Sequence, residues 1–586
     1  MNGAANSKRI PWVKYWSVAV KKSLSYRNLD QDSSVDWPMT TAVCDMQPNN
    51  RIRQRDVEFR IATDTDTLYE WIASEWLLST SFVSSFPIEQ KIMATQTLKY
   101  PETRNYIGGK TTNGTPKQMD VHSPLDGTVI STVALSTAQD LDAAVKVAEA
   151  AFPGWSGTPI KERSQIFFRY RELLLKNREE LAQLVHTENG KTIDESYAEV
   201  DKSVELCEFA CSLPQLIQGE VLEVSKGVEC RIERKPLGVV ASIAPFNFPN
   251  MVPHWTIPNA LMLGNTMILK PSEIVPISAI RIAELLKEAG LPDGVFNVVN
   301  GDREIVEAIC DHPGIKAVSF VGSTKVAKIV YIRASASLKR AVCLGGAKNH
   351  LIVLPDAHLE MTASNVVASM SGCAGQRCMA AAQMVGVGAI DPIIDQMIVE
   401  AKKLIPGKNL GPVISKASYE RILGFIEEAE KAGAKVLLDG RNPKVEGGDP
   451  GSGPGGYYLG PTIIDHVTQD MRISQEEVFG PVISIIRARD LDAGIAIENA
   501  SPYGNAAAVF TQSGGNARQV MERASAGMIG VNIGVPVPRE PFSFGGWNDS
   551  KFGTCDITGK SSIEFWTQLK KTTTKWNPEG KTNWMS

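Results

Sequence analysis

The sequence predicts an α/β fold built around a parallel β-sheet. Short apolar segments that suit buried strands recur in the middle of the chain, at residues 239–244, 266–270, 295–299 and 316–321. Helical patterns separate them, as at 278–289, where Gly290 follows as a stop signal. Strands that alternate with helices of this length are wound into parallel sheets by right-handed crossovers.

The composition is that of an ordinary globular protein and excludes several functional classes. The chain has 586 residues, of which 43% are hydrophobic, and a formal net charge of −4. This charge argues against a nucleic-acid-binding protein. No apolar stretch approaches the ~18 residues of a membrane-spanning helix, so we expect no membrane partner. Nine cysteines without a Cys-x-x-Cys spacing and seven histidines predict no metal site and a reducing compartment.

Residues 1–92 differ in composition from the rest of the chain. Six basic residues and no acidic residue occur between Met1 and Leu29, a bias typical of organelle transit peptides. From Met93 onward the chain reads like a natural N-terminus that leads into a first strand. We expect a mitochondrial location if residues 1–92 target the protein, and a cytoplasmic one otherwise. The alternatives are a poorly ordered extension and a translation start placed too early.

Two helical patterns precede the predicted sheet. Ser136 or Thr137 caps the first helix, and Pro153 with Gly154 should end it, because proline cannot continue a helix. A longer helical pattern follows at residues 160–191.

Polar or glycine residues follow three of the predicted strands, namely Asn247, the segment from Lys270 to Glu273, and Gly322 to Thr324. Ligands of parallel α/β sheets bind at the carboxyl ends of the strands. A ligand site is therefore predicted at this edge of the sheet.

A literal Gly-x-Gly-x-x-Gly match occurs at residues 451–456. A dinucleotide-binding fingerprint requires a preceding strand and a following helix. This segment has neither, and Pro454 interrupts it. We therefore interpret it as a hairpin loop.

Six motifs in series resemble the aldehyde dehydrogenase superfamily, over roughly Lys99 to Lys571. They are APFNFP (244–249), LGNTMILKPSE (263–273), FVGST (320–324), GQRC (375–378), EEVFGPV (476–482) and PFSFGGW (541–547). Within the superfamily, MVPHWTIPNAL (251–261), GAKNH (346–350), AGQRCMA (374–380) and GVPVP (534–538) are most similar to the CoA-acylating methylmalonate-semialdehyde dehydrogenase branch.

The resemblance implies a three-part aldehyde dehydrogenase fold. A Rossmann-like NAD-binding domain is expected at 93–219 and 237–346, and an α/β catalytic domain at 347–549. Segments 220–236 and 550–586 are expected to form a small β oligomerisation domain. The C-terminal segment 561–576 has an alternating pattern that favours a strand, and its pairing across an interface implies a homodimer or homotetramer. A solvated edge strand is the alternative.

Cys378 is the nucleophile that the resemblance implies. A thiolate attacks an aldehyde carbonyl readily and leaves readily afterwards. The sequence after Cys378 suggests a helix start, whose dipole, together with Arg377, would favour the thiolate. By resemblance, the Asn247 side chain and the Cys378 N–H form the oxyanion hole, although Asn247 also suits a turn.

The resemblance also implies NAD as the cofactor. Lys270 and Glu273 would contact the adenine ribose, Gly322 and Ser323 the pyrophosphate, and Glu477 and Phe479 the nicotinamide ribose and ring, with Phe246 as a further contact. A helix start after Ser323 offers free N–H donors to phosphate. Glu273 would repel a 2′-phosphate, which favours NAD over NADP.

The fate of the acyl-enzyme decides the activity. Hydrolytic relatives carry a glutamate general base just before the Leu-Gly-Gly-type segment, where this chain has Cys343 or Leu344. Cys555 or Asp556 stands where many members carry a second glutamate. A CoA thiol needs less activation than water, so coenzyme A is the expected co-substrate. The alternative is a hydrolytic NAD(P)-dependent enzyme that uses Asp556 or an ordered water.

The branch binds a substrate carboxylate with two arginines. Arg377 matches one of them, and Lys202 stands in place of the other, which keeps the charge but loses the bidentate fork. Lys202 as a solvated charge on a helix face is the alternative. Malonate or methylmalonate semialdehyde would lose its carboxylate as CO2 and give acetyl-CoA or propionyl-CoA. A catalytically silent binding protein with this fold is disfavoured, because Cys378 and Asn247 are both present.

Overall fold

The computed structural model describes the backbone of residues 41–46 and 52–57, and all of residues 98–112, 117–446 and 456–575. The chain divides into two units, Met1–Thr95 and Gln96–Ser586. In the first unit, strands Thr41–Met46 and Ile52–Val57 pair antiparallel. The targeting prediction for residues 1–92 and the hairpin-loop prediction for 451–456 fall largely outside the described residues and stay predictions.

Strands and helices alternate through the second unit. In chain order, with the pair of the first unit included, the strands are β1 (Thr41–Met46), β2 (Ile52–Val57), β3 (Tyr106–Ile107), β4 (Lys110–Thr111), β5 (Gln118–His122), β6 (Val129–Ala134), β7 (Glu220–Ser225), β8 (Val228–Pro236), β9 (Val239–Ile243), β10 (Thr266–Lys270), β11 (Phe296–Val298), β12 (Ile315–Val321), β13 (Arg340–Leu344), β14 (Asn349–Val353), β15 (Ala381–Val387), β16 (Lys435–Leu438), β17 (Thr462–Asp465), β18 (Val482–Ala488), β19 (Tyr503–Gly504), β20 (Ala506–Phe510), β21 (Met528–Val531), β22 (Trp547–Asn548), β23 (Lys551–Gly553) and β24 (Thr567–Lys575). The helices are α1 (Ala138–Gly157), α2 (Ile160–Lys176), α3 (Arg178–Asn189), α4 (Ile193–Cys211), α5 (Leu213–Leu216), α6 (Met251–Met262), α7 (Ile277–Glu288), α8 (Arg303–Asp311), α9 (Thr324–Ala336), α10 (Leu359–Ser371), α11 (Asp391–Ala401), α12 (Lys416–Lys431), α13 (Arg472–Gln475), α14 (Leu491–Asn499), α15 (Gly514–Arg523) and α16 (Gly559–Trp566). No helix within the described ranges combines the length and the hydropathy that a bilayer crossing needs.

An eight-stranded sheet has the order β23-β13-β12-β9-β10-β11-β3-β4. Its five strands from β13 to β11 are parallel, with Ala241 of β9 opposite Ile268 on one side and Val318 on the other. The four strands predicted from the sequence lie here, and the predicted parallel sheet is confirmed. Every residue of β9 and β10 is buried, as expected of a sheet with helices on both faces.

The core lies on both faces of this sheet. Val240 and Leu269 belong to an apolar cluster with residues of α2, α4 and α6. Ala241 and Ile268, their neighbours along the strands, belong to a second cluster with residues of α1, α8 and α9. This alternation follows from the two-residue period of a strand.

A seven-stranded sheet, in the order β16-β17-β18-β15-β14-β20-β21, forms the second large layer. All of its pairs are parallel except β16 with β17. A smaller antiparallel sheet has the order β24-β8-β7. The predicted pairing of the C-terminal strand with segment 220–236 is therefore present, whereas β23 of segment 550–586 adds to the eight-stranded sheet. The domain boundaries stay predictions.

Two helix predictions and one strand prediction were wrong in detail. Helix α1 does not end at Pro153 but runs to Gly157, because Trp155 is buried and donates to the Leu261 carbonyl at 3.0 Å. The pattern at 160–191 is two helices, α2 and α3, that meet at Asn177. Residues 561–566 belong to α16 rather than to a strand, because Ile563 and Trp566, three residues apart, are both buried.

Candidate active site

A cavity of about 1390 Å³ opens at the carboxyl ends of β9, β10 and β12. This is the sheet edge where the sequence predicts a ligand site. Every predicted site residue lines the cavity: Phe246, Asn247, Lys270, Glu273, Gly322, Ser323, Arg377, Cys378, Glu477, Phe479 and Lys202. The structure thus brings these residues together, while their individual roles stay predictions.

Cys378 is half-buried in a turn between a 3₁₀ helix, Gly372–Gly375, and strand β15. The predicted helix start at Cys378 was therefore wrong. Gly375 has φ +72, and a Cβ there would lie 2.0 Å from the carbonyl oxygen of Gly480. This close approach turns the chain away from helical geometry and towards β15. No helix dipole acts on the thiol from this segment.

Two side-chain amides hold the main chain of the Cys378 turn. The carbonyl oxygen of Cys378 accepts from Asn349 Nδ2 at 2.7 Å and from Asn505 Nδ2 at 2.8 Å. Asn349 Nδ2 also donates to the Ala380 carbonyl at 2.9 Å. Neither asparagine is among the predicted site residues. Asn349 lies inside the GAKNH motif, but nothing in the local sequence singles out Asn505.

The surroundings of the Cys378 thiol shift its pKa in opposing directions. Burial raises the pKa to about 12, and the Glu477 carboxylate adds to the rise. The backbone N–H groups of Cys378 and Met379, and the Arg377 charge, lower the pKa without cancelling that rise. Arg377 thus favours the thiolate as predicted, but desolvation outweighs its effect.

Asn247 lies beside the Cys378 turn. Its side chain is buried, and its Nδ2 donates to the carbonyl oxygen of Gln376 at 3.0 Å. Its own carbonyl oxygen accepts a short hydrogen bond from Lys191 Nζ. The Asn247 side chain thus contacts Gln376, which lies two residues before Cys378 in the sequence. Hydrogen bonds hold both the side chain and the main-chain carbonyl of Asn247.

A buried ion pair supports the Asn247 loop. Lys191 Nζ lies 2.6 Å from Glu199 Oε2, and the two side chains are 1% and 0% exposed. Glu199 Oε1 accepts from the N–H groups of Asn250 and Met251 at 2.8 and 3.0 Å. The pair thus joins the Asn247 carbonyl to the start of α6. The sequence did not predict this buried ion pair, because isolated Lys and Glu residues are usually exposed.

The predicted adenine and pyrophosphate residues lie along one side of the cavity. Lys270, buried at the end of β10, forms an ion pair of 2.7 Å with Glu273. Ser323 precedes α9, and the N-terminus of that helix has no side-chain cap from Ser323. A Cβ at Gly322 would lie 2.6 Å from the Phe320 ring. The backbone N–H groups at this helix start, which Ser323 does not cap, are donors of the kind that a phosphate group binds.

Glu477, Phe246 and Phe479 also line the cavity. The Phe246 and Phe479 rings meet edge to face at 5.8 Å. Glu477 Oε1 accepts from the Ala347 N–H at 3.1 Å. Burial raises the pKa of Glu477 to about 7, although the Ala347 hydrogen bond and the Lys348 charge favour its ionised form.

The family model for the aldehyde dehydrogenase family matches residues 111–572. The chain belongs to the aldehyde dehydrogenase family. Malonate-semialdehyde dehydrogenase 1 of Geobacillus thermodenitrificans (strain NG80-2) is 44% identical over 490 residues, which are 82% of this chain and 99% of the relative. Malonate-semialdehyde dehydrogenase 2 of Bacillus anthracis is 44% identical over 482 residues, which are 81% and 98%.

Solved structures of aldehyde dehydrogenases share the fold. Methylmalonate-semialdehyde dehydrogenase from Oceanimonas doudoroffii superposes with a TM-score of 0.80 at 39% identity and covers 82% of this chain and 99% of its own. A Sinorhizobium meliloti 1021 protein assigned to the same activity and solved with NAD has a TM-score of 0.80 at 41% identity and covers 83% and 99%. The predicted aldehyde dehydrogenase fold and the resemblance to this branch are confirmed.

The two candidate positions on β13 of this aldehyde dehydrogenase, 343 and 344, lie on opposite faces of the sheet. Leu344 belongs to the apolar cluster against which Cys378 packs. Cys343 points to the opposite face, into the cluster of Cys310 and Tyr331. Position 344, which carries no ionisable group, is therefore the one on the Cys378 side.

The alternative base of the dehydrogenase, Asp556, is engaged elsewhere. Its carboxylate forms a short ion pair with Lys551, and its N–H donates to Ser561 at 2.8 Å. Asp556 is not among the residues that line the cavity. Cys555 also lies outside that lining.

The two predicted substrate cations of the dehydrogenase differ in their partners. Arg377 lies 3.7 Å from Glu195, and its Nε donates to Cys373 Sγ at 3.3 Å. Lys202 is held more tightly, at 2.7 Å from Glu540 and 2.9 Å from Glu205. The alternative reading of Lys202 as a solvated charge was wrong, because its side chain is only 16% exposed.

Proposed function

We propose that this aldehyde dehydrogenase catalyses the NAD-dependent, CoA-acylating oxidation of malonate or methylmalonate semialdehyde. The products are acetyl-CoA or propionyl-CoA and CO2. The observation that carries the proposal is Leu344, an apolar residue on the Cys378 side of β13. With no carboxylate there to activate water, a thiol is the better acceptor of the acyl group.

The cavity residues suit NAD. The α9 N-terminus with Gly322 and Ser323 would hold the pyrophosphate, Lys270 and Glu273 the adenine ribose, and Glu477 the nicotinamide ribose, while Phe246 and Phe479 would flank the ring. The carboxylate of Glu273 disfavours a 2′-phosphate. When bound, NAD would supply the acceptor for the hydride that the former aldehyde carbon loses. The relative of known structure from Sinorhizobium meliloti was solved with NAD.

The residues around the thiol perform the first step. The Cys378 thiol gives its proton to solvent in the cavity as its sulfur attacks the aldehyde carbon, and the developing oxyanion receives hydrogen bonds from Asn247 Nδ2 and the Cys378 N–H. A preorganised donor of this kind contributes about 3 kcal/mol to the transition state.

The acyl group then remains on Cys378 as a thioester. Its transfer to the CoA thiol regenerates the Cys378 thiol and completes the cycle. Arg377 and Lys202, the two cations that the family resemblance implies, are the candidate partners of the substrate carboxylate. A carboxylate β to the acyl carbonyl leaves as CO2, and the carbon atom that loses it takes a proton from solvent.

We further propose that the protein forms a homodimer or homotetramer through the sheet of β24, β8 and β7. β7 is an edge strand, and every one of its residues is exposed, including Val221, Leu222 and Val224. An exposed apolar edge strand is a surface that pairs readily with another chain.

Product analysis tests the activity. Malonate semialdehyde and methylmalonate semialdehyde are each supplied with NAD, with and without CoA. We expect acyl-CoA that depends on CoA, and NADH formation that Cys378→Ser reduces at least ~10³-fold. Cys230→Ser, which alters a cysteine of the small sheet, is the matched control. Free acid formed equally well without CoA would contradict the acylating reaction and favour the hydrolytic NAD(P)-dependent alternative.

A further inference from the structure

The Glu540 carboxylate forms an ion pair with the ammonium group of Lys202. Its Oε2 lies 2.7 Å from Lys202 Nζ, and its side chain is 11% exposed. Glu205 approaches the same ammonium at 2.9 Å but is 43% exposed and shares its carboxylate with Arg539. Glu540 is therefore the less solvated of the two partners of Lys202, and the one whose charge is least screened.

Apolar side chains line the cavity that contains this pair. They include Trp255 and Phe544, whose ring centroids lie 4.6 Å apart, and Val535 and Val537, which lie within five residues of Glu540 in sequence. Apolar neighbours lower the local dielectric and exclude the water that would otherwise compete for the ions. A substrate carboxylate that reaches Lys202 must displace Glu540 and leave that carboxylate without its partner, which is costly.

Arg377 is less fully paired. Its nearest carboxylate, Glu195, lies at 3.7 Å, beyond the length of a good charged hydrogen bond. Glu195 itself accepts from the Cys373 N–H at 2.6 Å. Of the two cations, Arg377 is thus the one that a bound anion can reach without breaking a short ion pair.

We propose that Glu540 is a specificity-determining residue that competes with the substrate carboxylate for Lys202. The acid end of a carboxylated semialdehyde is then held by Arg377 alone, and the enzyme discriminates weakly between such a substrate and an uncharged aldehyde of similar length. This inference rests on the proposed function, because it concerns the substrate end of the same cavity.

The test compares two aldehydes in the acyl-CoA assay, malonate semialdehyde and propanal. The measured quantity is the ratio of their kcat/KM values. Glu540→Gln keeps the shape of the side chain and frees the ammonium, so we expect the ratio to rise about tenfold. Asp201→Asn is the matched control, since Asp201 lines the same cavity but pairs with Arg178 at 2.5 Å. We expect it to change the ratio less than about twofold.

A double variant tests whether Glu540→Gln changes the kcat/KM ratio through Lys202. In Lys202→Met/Glu540→Gln the gain in the ratio should disappear, because no ammonium is left to free. A gain that persists without Lys202, an equal gain in Asp201→Asn, or an unchanged ratio in Glu540→Gln would each overturn the proposal. If Glu540→Gln does not fold, Glu540→Asp, whose shorter carboxylate withdraws from Lys202, is measured in the same way, and an unchanged ratio there overturns it equally.

A different result would show that the proposed acylating activity is wrong while leaving the role of Glu540 testable. If the wild-type enzyme forms free acid rather than acyl-CoA from propanal, the acylating activity is wrong. The ratio of the two aldehydes can still be measured through NADH formation, and its response to Glu540→Gln still tests the role of Glu540.

Discussion

The side-chain amide of Asn505 donates a hydrogen bond of 2.8 Å to the carbonyl oxygen of Cys378. Asn505 immediately precedes β20, and Asn349, the other donor to this oxygen, begins β14, the neighbour of β20 in the seven-stranded sheet. Asn349 Oδ1 also accepts from the Ala506 N–H at 3.2 Å. Residues of two adjacent strands or their ends therefore hold the main chain of Cys378, the proposed nucleophile, which lies in an irregular turn.

Replacing Asn505 should impair the chemical step more than substrate binding. We expect Asn505→Ala to lower kcat about tenfold, because a small displacement of a nucleophile costs this much or more, with KM changed less than about twofold. Steady-state kinetics of NADH formation measures both. Asn499→Ala removes an amide–carbonyl hydrogen bond of 3.0 Å to Arg523 at the surface and serves as the control. A rise in KM with little change in kcat for Asn505→Ala would contradict the proposal that Asn505 positions Cys378.

A carboxylate at position 344 should open a hydrolytic route. Leu344→Glu places an ionisable group on the Cys378 side of β13, where it can activate water as a general base. We expect the share of free acid among the products to rise about tenfold or more in the absence of CoA. Leu344→Gln has nearly the same shape without a base and should not increase hydrolysis. Equal hydrolysis by both variants would show that altered packing, rather than the base, admits water.

The sequence was most informative where function depends on strand ends. The strands around Ala241, Ile268 and Val318 were predicted correctly, and the residues that follow them line one cavity, because carboxyl ends of parallel strands meet at one edge. Family motifs supplied the remaining site residues, such as Cys378 and Glu477. These predictions depend on local patterns and motif matches.

Features that depend on distant contacts were not predictable. The continuation of α1 past Pro153 depends on the hydrogen bond of Trp155 to Leu261, more than a hundred residues away in sequence. The pairing of Lys202 with Glu540 spans 338 residues. The turn at Cys378 depends on the approach of Gly375 to Gly480. No local propensity encodes such contacts, because each is created by the packing of separate elements.

The buried pair of Lys191 and Glu199 should be sensitive to the loss of one partner. Lys191→Met leaves the Glu199 carboxylate, which is 0% exposed, without its counterion, and we expect a loss of about 3–5 kcal/mol in the free energy of unfolding. Lys191→Met/Glu199→Gln should recover part of it, because both charges are gone. Urea denaturation measures these differences. The exposed pair of Arg303 and Glu307 is the control, since Arg303→Ala should cost less than about 1 kcal/mol. A double variant no more stable than the single one would contradict the argument.

Alkylation of Cys378 should report its raised pKa and the influence of Glu477. Iodoacetamide reacts with the thiolate, and the pKa of about 12 means that the thiolate fraction is small at neutral pH. We expect the alkylation rate of the cofactor-free enzyme to rise about tenfold for each pH unit between pH 7 and 10, without a plateau. Mass spectrometry of the Cys378 peptide measures it. A plateau near pH 8 would contradict the raised pKa.

Glu477 should change the alkylation rate of Cys378 only at pH values at which the Glu477 carboxyl group is ionised. Its pKa of about 7 lies above the ordinary value for a carboxyl group because of burial. Below pH 6 the group is protonated and exerts no charge on the thiol, whereas above pH 8 its negative charge disfavours the thiolate. Glu477→Gln should therefore accelerate alkylation about threefold at pH 9 and have no effect at pH 5.5. Glu476→Gln alters a neighbouring carboxylate that pairs with Arg472 and should leave the rate unchanged at both pH values. An acceleration by Glu477→Gln that is equal at pH 5.5 and pH 9 would show that altered packing, and not the charge, exposes the thiol.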